Sequence, residues 1–204
     1  MATDSSIQIQ RVERRVAAVP IVGTAPLIVH AWSAKAKQMM LDAQQGKKAQ
    51  KTVKDPEADF TASMYRFENG DHGFPAVGFK SAIVGGARFY DKSISMAALK
   101  RLLFVSGEGP EQLVRLETTE PKMREDVVRV GMGTADLRYR AQYNEWRAVL
   151  LLTYAPASIS LDSVLALVDA GGMGDGIGEW RPEKGGSFGT FTIDDARQIR
   201  EVSA

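Results

Sequence analysis

The sequence contains no cysteine, which excludes disulfide bonds, thiolate metal sites and cysteine nucleophiles. Histidine is scarce too: His30 and His72 are the only two in 204 residues, too few for a histidine-rich metal centre. No apolar run approaches the roughly 18 residues needed to span a bilayer. The first six residues, MATDSS, lack the charged and apolar regions of a signal peptide. These absences predict a soluble, cytoplasmic protein without a metal or other cofactor.

The sequence also lacks the common catalytic signatures. It has no phosphate-binding Walker loop, no Ser/His/Asp signature and no His-Glu-x-x-His motif. A Gly-x-Gly-x-Gly run at 174–178 follows a predicted helix rather than a strand, so it lacks the context of a dinucleotide site. His30, at the end of a predicted strand, is a weak candidate for acid–base chemistry. The sequence therefore favours a protein that is not an enzyme.

Charge and size set further limits. The 26 basic and 25 acidic residues give a net charge of +1, so any affinity for an anionic polymer must come from local patches. The length suits one good core, and the hydrophobic and charged fractions, 44% and 25%, are those of an ordinary globular protein. We therefore expect a single domain over residues 1–204.

The first third of the chain predicts a strand followed by a basic insertion. Valine-rich residues 11–22 indicate a strand, which is expected to resume at 27–30 beyond a bulge. Residues 34–55 are rich in lysine, glutamine and alanine and hold one acid, Asp42, before Asp55. This basic arm is expected to be partly helical. It is either a solvated helical face or an arm that faces nucleic acid.

Three helices are predicted from apolar spacing and capping residues. Residues 77–90 place apolar side chains on one face, with Lys80 in the first turn, where an anion is favoured. Ser93 or Ser95 is expected to cap a helix over 96–105. Ser160 is expected to cap a helix over 161–170, which Gly171 would end.

Short apolar runs bounded by charges or turns predict the remaining strands. The strongest is 146–154, WRAVLLLTY, and the others are 113–116, 127–130, 137–140 and a closing strand at 187–193. Helices separated by hairpins, with a strand at each end, suit one architecture. The fold class is α+β, a modified ferredoxin-like (RRM-like) antiparallel sheet with helices on one face.

The glycine-rich segment 171–191 holds eight of the nineteen glycines. Glycine loses much entropy on folding, so this density requires positive φ values or close approach of the backbone to another group. Trp180, Arg181 and Lys184 lie among the glycines and are followed by Ser187 and Phe188. The segment is either a long hairpin between core elements or a loop that brings its backbone close to phosphates and bases.

Three separated stretches together resemble one family. A strand runs into GTAPLIVH (23–30), Lys-Asp-Pro (54–56) precedes FPAVGFKS (74–81) by about twenty residues, and the chain closes with GIGEWRPEKGGSFGTF (176–191). In this order they resemble the RAMP superfamily, the RRM-like proteins that form the backbone of CRISPR effector complexes. The ending Arg-Pro-x-x-x-Gly-x-Phe-Gly also resembles that of small proteins of phages and prophages, for which no CRISPR locus is implied.

The resemblance implies a modified ferredoxin fold that binds single-stranded RNA, often as a helical filament. Lys80 matches the family's lysine that contacts the nucleic-acid backbone, and 185–188 match the end of its glycine loop. The basic arm occupies the position of a mobile thumb-like element. Two departures matter: Pro-Ala-Val-Gly-Phe replaces the family's Pro-Gly-Ser-Ser-Leu, and no acid follows the first strand before Asp42. The second departure argues against ribonuclease activity.

Three hypotheses follow. The first is a non-catalytic protein that binds single-stranded nucleic acid and forms a homo-oligomeric filament along it, with RNA favoured and single-stranded DNA left open as the ligand. The second is a metal-independent endoribonuclease that uses His30. The third is a structural phage or prophage assembly protein that binds no nucleic acid. Under the first, Trp32 is a further stacking candidate, and the predicted nucleic-acid contacts are Lys35, Lys37, Lys47, Lys48, Lys51, Lys80, Trp180, Arg181, Lys184, Gly185, Gly186, Ser187 and Phe188.

Overall fold

A computed structural model describes residues 11–32, 34–47, 53–90, 95–130 and 134–202. Two predicted nucleic-acid contacts, Lys48 and Lys51, lie outside these ranges. The strands are β1 (Arg15–Gly23), β2 (Leu27–Val29), β3 (Tyr65–Arg66), β4 (His72–Pro75), β5 (Leu103–Ser106), β6 (Leu113–Thr118), β7 (Lys122–Val130), β8 (Thr134–Tyr143), β9 (Trp146–Tyr154), β10 (Phe191–Ile193) and β11 (Arg200–Val202). The helices are α1 (Ala34–Gln44), α2 (Pro56–Ala62), α3 (Ala76–Gly85), α4 (Met96–Leu102) and α5 (Leu161–Gly174).

Two antiparallel sheets organise these elements. The larger sheet has the order β10-β1-β9-β6-β4-β3, with β5 also paired to β9 and β11 to β1. In chain order, β1, α3, β6, β9, α5 and β10 form the β-α-β-β-α-β repeat. The four strands of this unit lie in the sheet in the order β10-β1-β9-β6. Numbered one to four along the chain, they are in the order 4-1-3-2, which is that of the ferredoxin fold. The predicted α+β ferredoxin-like fold is confirmed.

Strand β9 shows why the sequence folds this way. Its side chains alternate between buried and accessible positions along the whole strand, from Trp146 to Tyr154. Successive strand residues point to opposite faces, so one face of this central strand supplies the core. Val164, Leu167 and Val168 of α5 join the same hydrophobic cluster. The helix α3 packs beside α5, and the two helices cover this face of the sheet.

Strand β2 lies in the second sheet. The expectation that β1 resumes at 27–30 beyond a bulge is wrong, because Leu27–Val29 pair with β8 in the three-stranded order β2-β8-β7. The turn at 23–26 redirects the chain between the two sheets. Leu27, Ile28 and Val29 are all fully buried, on both faces of the strand. An all-apolar run of three is typical of such a doubly covered strand.

Two predicted helix boundaries are also wrong. Ser95 caps α4 as expected, but the helix ends at Leu102, and the next four residues pair with β9 as β5. Gly171 does not end α5, which continues to Gly174. A Cβ atom on Gly171 would lie 2.2 Å from the backbone oxygen of Ala82 in α3, so the glycine permits a close helix–helix crossing. The need for glycine there is steric and not conformational.

The closing strand is shorter than predicted. Residues 185–190 belong to a loop, and only Phe191–Ile193 pair with β1 as β10. The reason is that the loop residues make their backbone hydrogen bonds within the loop and to the turn before β2. Across the described ranges, no helix is both long and apolar enough to cross a membrane.

Candidate nucleic-acid interface

The glycine-rich segment continues from α5 as an ordered loop, residues 175–190. Four of its glycines and Trp180 have positive φ, and Trp180 is a rare non-glycine case at 53°. The Ile177 N–H donates to Gly189 O at 2.9 Å, and the Phe188 N–H donates to Trp180 O at 3.0 Å. These bonds fold the loop back on itself, so it is not a simple hairpin extension of two strands.

The loop also rests on β2 and the turn before it. The Glu179 N–H donates to Ile28 O, and the Gly189 N–H donates to Pro26 O, both at 2.8 Å. A Cβ atom on Gly178 would lie 2.3 Å from Ile28 O. The close backbone approach that demands glycine here is therefore an approach to β2. The loop's amides at 185, 186, 188 and 189 all donate within the protein.

The loop, the end of β2 and the first half of α3 enclose an open groove of about 420 Å³, which we call the loop groove. Part of each separated sequence stretch lines this groove: His30 of the first, residues of 74–81 of the second and residues of 176–183 of the third. Lys54-Asp55-Pro56 is not in the lining. Residues that line the loop groove include His30, Trp32, Val77, Gly78, Ser81, Asp175, Gly176, Ile177, Gly178, Glu179, Arg181 and Glu183.

A second open groove, of about 470 Å³, adjoins the first. We call it the lysine groove, because Lys37 of the basic arm and Arg66 of β3 line it together with Glu111. Trp32 and Tyr65 line both grooves. Trp32 is 60% exposed although it is the largest apolar side chain in the region. The two grooves thus form one track that passes an exposed indole.

The two grooves differ in charge. The loop groove is lined by three carboxylates, those of Asp175, Glu179 and Glu183, against Arg181. The Arg181 guanidinium is already engaged: its Nε lies 2.9 Å from Glu183 Oε2, and its Nη1 donates to Gly178 O at 2.9 Å. The lysine groove has two cations and one carboxylate. Each carboxylate of the loop groove is likewise paired with an arginine. The charge therefore favours phosphates in the lysine groove.

A buried ionic network holds the loop groove in shape. The Arg140 side chain, 3% exposed, reaches from β8 to three partners at once. Its Nε donates to His30 Nδ1 at 3.1 Å, its Nη1 to Asp126 Oδ2 at 3.2 Å, and its Nη2 lies 3.3 Å from Glu179 Oε2. Arg124 Nε donates to the other Asp126 oxygen at 2.8 Å. The network ties the β7–β8 hairpin to β2 and to the glycine loop.

The network fixes the protonation of His30. Burial lowers the pKa of His30, and the positive charges of Arg140 and Arg138 lower it further. The neutral imidazole accepts a hydrogen bond at Nδ1, so its proton resides on Nε2. The partner that orients His30 is a guanidinium and not a carboxylate, as a general base usually has. His30 therefore offers the loop groove an N–H donor.

The other predicted contacts are spread over several places. Lys37 lines the lysine groove, and Arg181 lines the loop groove. The Arg124 guanidinium carbon lies over the Phe188 ring, 5.0 Å from the ring centre. Trp180 is 44% exposed, and Lys184, Gly185 and Ser187 are exposed beside it, with Gly186 half-buried. These five form the outer end of the loop. Neither groove includes them.

The remaining lysines lie elsewhere. Lys80 is the fifth residue of α3, past the first turn, because the helix begins at Ala76. Its Nζ donates to Lys100 O at 2.8 Å and lies 4.2 Å from the centre of the Phe104 ring. Lys47 is exposed and pairs with Asp42 at 3.3 Å. Lys35 belongs to α1. The structure thus separates Lys80 from the two grooves.

Sequence reasoning missed the ionic network. The predicted strand 137–140 includes Arg140 without a role, Asp126 lies just before the predicted strand 127–130, and Glu179 is one polar residue among glycines. The available signal was alternation: Arg124 and Asp126 share one face of β7, and Arg138 and Arg140 share one face of β8. In their register Asp126 lies opposite Arg138 and diagonal to Arg140, with which it forms the ion pair. Among the described residues, no group of three or more acidic or histidine side chains is placed to hold a metal ion.

No family model and no curated protein matches the sequence. Many solved structures are similar in shape, and two of them serve as examples. One is the type III-B Cmr-beta bound to cognate target RNA, with 8% identity and a TM-score of 0.46 over 93% of this chain. This chain spans 61% of the length of that one. The other is Cmr6 from Pyrococcus furiosus, with 7% identity and a TM-score of 0.42 over 90% of this chain and 100% of the other.

With TM-scores under 0.5, we draw neither fold nor function from these likenesses. The ferredoxin-like assignment rests on the strand order.

Proposed function

We propose that this protein binds single-stranded nucleic acid, RNA in preference to DNA, along the track formed by the two grooves, without cleaving it. The observation that carries the proposal is the position of Trp32, a 60% exposed indole in the wall shared by both grooves. An aromatic side chain at such a place stacks on a base, which contributes about 1–3 kcal/mol per base in proteins of this kind. Parts of the RAMP-like motifs line this track, and the resemblance supports RNA as the ligand.

The charge of the track determines which side of the nucleic-acid strand faces each groove. Lys37 and Arg66 in the lysine groove neutralise phosphates, and the release of their counterions makes affinity fall with salt. In the loop groove, the Glu179 carboxylate is 42% exposed and accepts hydrogen bonds from base N–H groups. The strand therefore lays its backbone toward the lysine groove and turns a base toward the glycine loop.

The proposal includes assembly of several copies along one strand, as a homo-oligomeric filament in the cytoplasm, that of the bacterial host if a phage encodes the chain. The β7–β8 hairpin supports this part. Paired Val127 and Leu137 lie on one face of the hairpin and are 68% and 39% exposed, and Met123 on the same face is 38% exposed. Contiguous exposed apolar side chains mark surfaces that another chain covers.

The test is fluorescence anisotropy with a labelled 20-nucleotide RNA and its DNA counterpart at low salt. Wild-type protein is expected to bind RNA more tightly than DNA. Trp32→Ala is expected to weaken RNA binding by about 5- to 150-fold, the equivalent of about 1–3 kcal/mol. Phe89→Ala is the matched control, because Phe89 is 53% exposed and lines neither groove.

Failure to bind either oligonucleotide would overturn the proposal. If the protein cleaves the RNA and His30→Ala abolishes cleavage, the endoribonuclease hypothesis replaces it. Light scattering with RNA of increasing length tests assembly: the particle mass is expected to grow with RNA length. Particles of one mass with and without RNA would favour the structural assembly protein.

A further inference from the structure

The loop groove presents a donor and an acceptor held by the same guanidinium. Arg140 Nε donates a hydrogen bond to His30 Nδ1, so the His30 Nε2–H is the donor that remains for a ligand. Arg140 Nη2 lies 3.3 Å from Glu179 Oε2, which is the acceptor. His30 and Glu179 both line the loop groove. Because Arg140 is 3% exposed and also paired with buried Asp126, the anchor of both groups is rigid. One buried guanidinium thus holds both groups at the same groove.

Glu179 is placed to accept hydrogen bonds from a ligand. Its backbone N–H is fixed on Ile28 O at 2.8 Å, and its side chain is 42% exposed. Each carboxylate oxygen has two lone-pair sites, so Oε2 can face Arg140 and still accept a second bond. Asp175 and Glu183 in the same lining pair with Arg88 at 3.3 Å and with Arg181 at 2.6 Å. The partly exposed Glu179 carboxylate is therefore the acceptor that this groove offers to a ligand. A neutral group rich in N–H donors is the complementary ligand.

The four bases differ in how they match this pattern. The Watson–Crick edge of guanine carries two adjacent donors, N1–H and the N2 amino group, beside the acceptor O6. Adenine and cytosine each place a ring nitrogen acceptor next to their amino group, and that lone pair repels a carboxylate. Uracil has a single N–H between two carbonyl oxygens. Only guanine offers a carboxylate two donors and an imidazole N–H one acceptor.

We propose that the loop groove is a guanine-selective base site. Glu179 accepts from N1–H and the N2 amino group, the His30 Nε2–H donates to O6, and Trp32 stacks on the ring. Arg140 is the positioning residue that holds both polar groups. The proposal deepens the proposed function and rests on it, since a base reaches the groove as part of a bound strand.

The experiment uses wild-type protein and labelled uridine 12-mers with guanosine, inosine or adenosine at one central position. Guanosine is expected to bind about 5- to 150-fold more tightly than adenosine, the discrimination of a good two-bond contact. Inosine, which lacks the N2 amino group, is expected to fall between them. The comparison needs no variant, so it does not depend on how any substitution folds.

Variants then test whether Glu179 is responsible for the preference for guanosine over adenosine. Glu179→Gln is expected to bring the guanosine-to-adenosine affinity ratio close to one, because the amide repels one of the two guanine donors. The matched control is Glu145→Gln, an exposed glutamate in the β8–β9 turn, which should keep the wild-type ratio. Thermal melts establish that both variants are folded.

The outcomes separate the two proposals. Equal binding of the three 12-mers by the wild type overturns the guanine site and leaves the proposed function standing, provided that Trp32→Ala weakens all three. A wild-type guanosine preference that Glu179→Gln retains also overturns it. If no 12-mer binds, both proposals are overturned.

Discussion

Arg140 and Glu179 meet at 3.3 Å, and through this contact a buried residue of strand β8 positions the middle of the glycine loop. The two residues are 39 positions apart in the chain, and each also contacts β2, Arg140 through His30 and Glu179 through Ile28 O. The pair therefore joins three elements at one point. The shape of the loop groove depends on a charge that lies outside the groove lining.

We predict that Arg140→Met strongly destabilises the protein. The substitution leaves Asp126, which is 7% exposed, with only the Arg124 ion pair, and removing one partner of a buried pair costs about 3–5 kcal/mol. Urea denaturation measures the change in the free energy of unfolding. Arg138→Met is the control, because Arg138 is partly exposed and 3.7 Å from Asp136, and such pairs contribute at most about 1 kcal/mol. Equal losses for both variants would contradict the prediction.

We predict that acid lowers stability through His30. Burial and the nearby arginines lower its pKa in the folded state, whereas in the unfolded chain it titrates at its ordinary value of 6.5. The unfolded chain therefore binds the proton first, so stability falls as pH drops below about 6.5 and the loss ends below the folded pKa. Burial lowers the pKa of His72 as well, so His72 also makes the protein less stable as the pH drops.

Thermal melts at pH 7.5 and pH 5.5 measure this effect. The loss of melting temperature between the two pH values is expected to be smaller in His30→Gln than in the wild type, and smaller still in the double variant with His72→Gln. If His30→Gln has the wild-type pH dependence, His30 does not carry the effect.

The sequence was sufficient to predict the helices and strands around the site but not the contacts between their side chains. The alternating burial of β9 and the serine caps of α4 and α5 are local signals, and their elements formed at or near the expected residues. The glycine density correctly indicated close backbone approach. The approach is to β2, however, and that partner could not be predicted from the loop alone, because the chain passes from the main sheet to the second sheet through three residues, 24–26.

The ionic network beside the loop groove depends on contacts between residues that are distant in the sequence. Arg140, Asp126 and Glu179 meet only because the β7–β8 register and the docking of the loop bring them together. Single-residue properties give no hint of such pairing. The same limit explains Lys80: its motif position predicts a backbone contact, but its side chain bonds to Lys100 O. The role of Lys80 at nucleic acid stays a prediction.

We predict that Gly189→Ala disrupts the loop and the proposed binding. At this position φ is +67° and a Cβ atom would lie 1.8 Å from Ile177 O, so alanine meets both backbone strain and a clash. Gly185→Ala is the matched control, with φ of +78° and open space around its Cβ position, so it should cost only the strain of about 1–2 kcal/mol. Melting temperature and RNA affinity should both fall much further in Gly189→Ala. Similar values for the two variants would show that close packing at Gly189 is unimportant.

The last prediction concerns the salt dependence of binding. If Lys37 neutralises one phosphate in the lysine groove, Lys37→Ala should weaken RNA binding at low salt and reduce the slope of log affinity against log salt by about 0.7, the value for one contact on a single strand. Lys100→Ala should leave the slope unchanged, because Lys100 is exposed on α4 and lines neither groove. Lys80→Ala measured in the same series shows whether the motif lysine adds a contact of its own. A wild-type slope in Lys37→Ala would remove the lysine groove from the path of the strand, since a cation that touches a phosphate must release counterions when it binds.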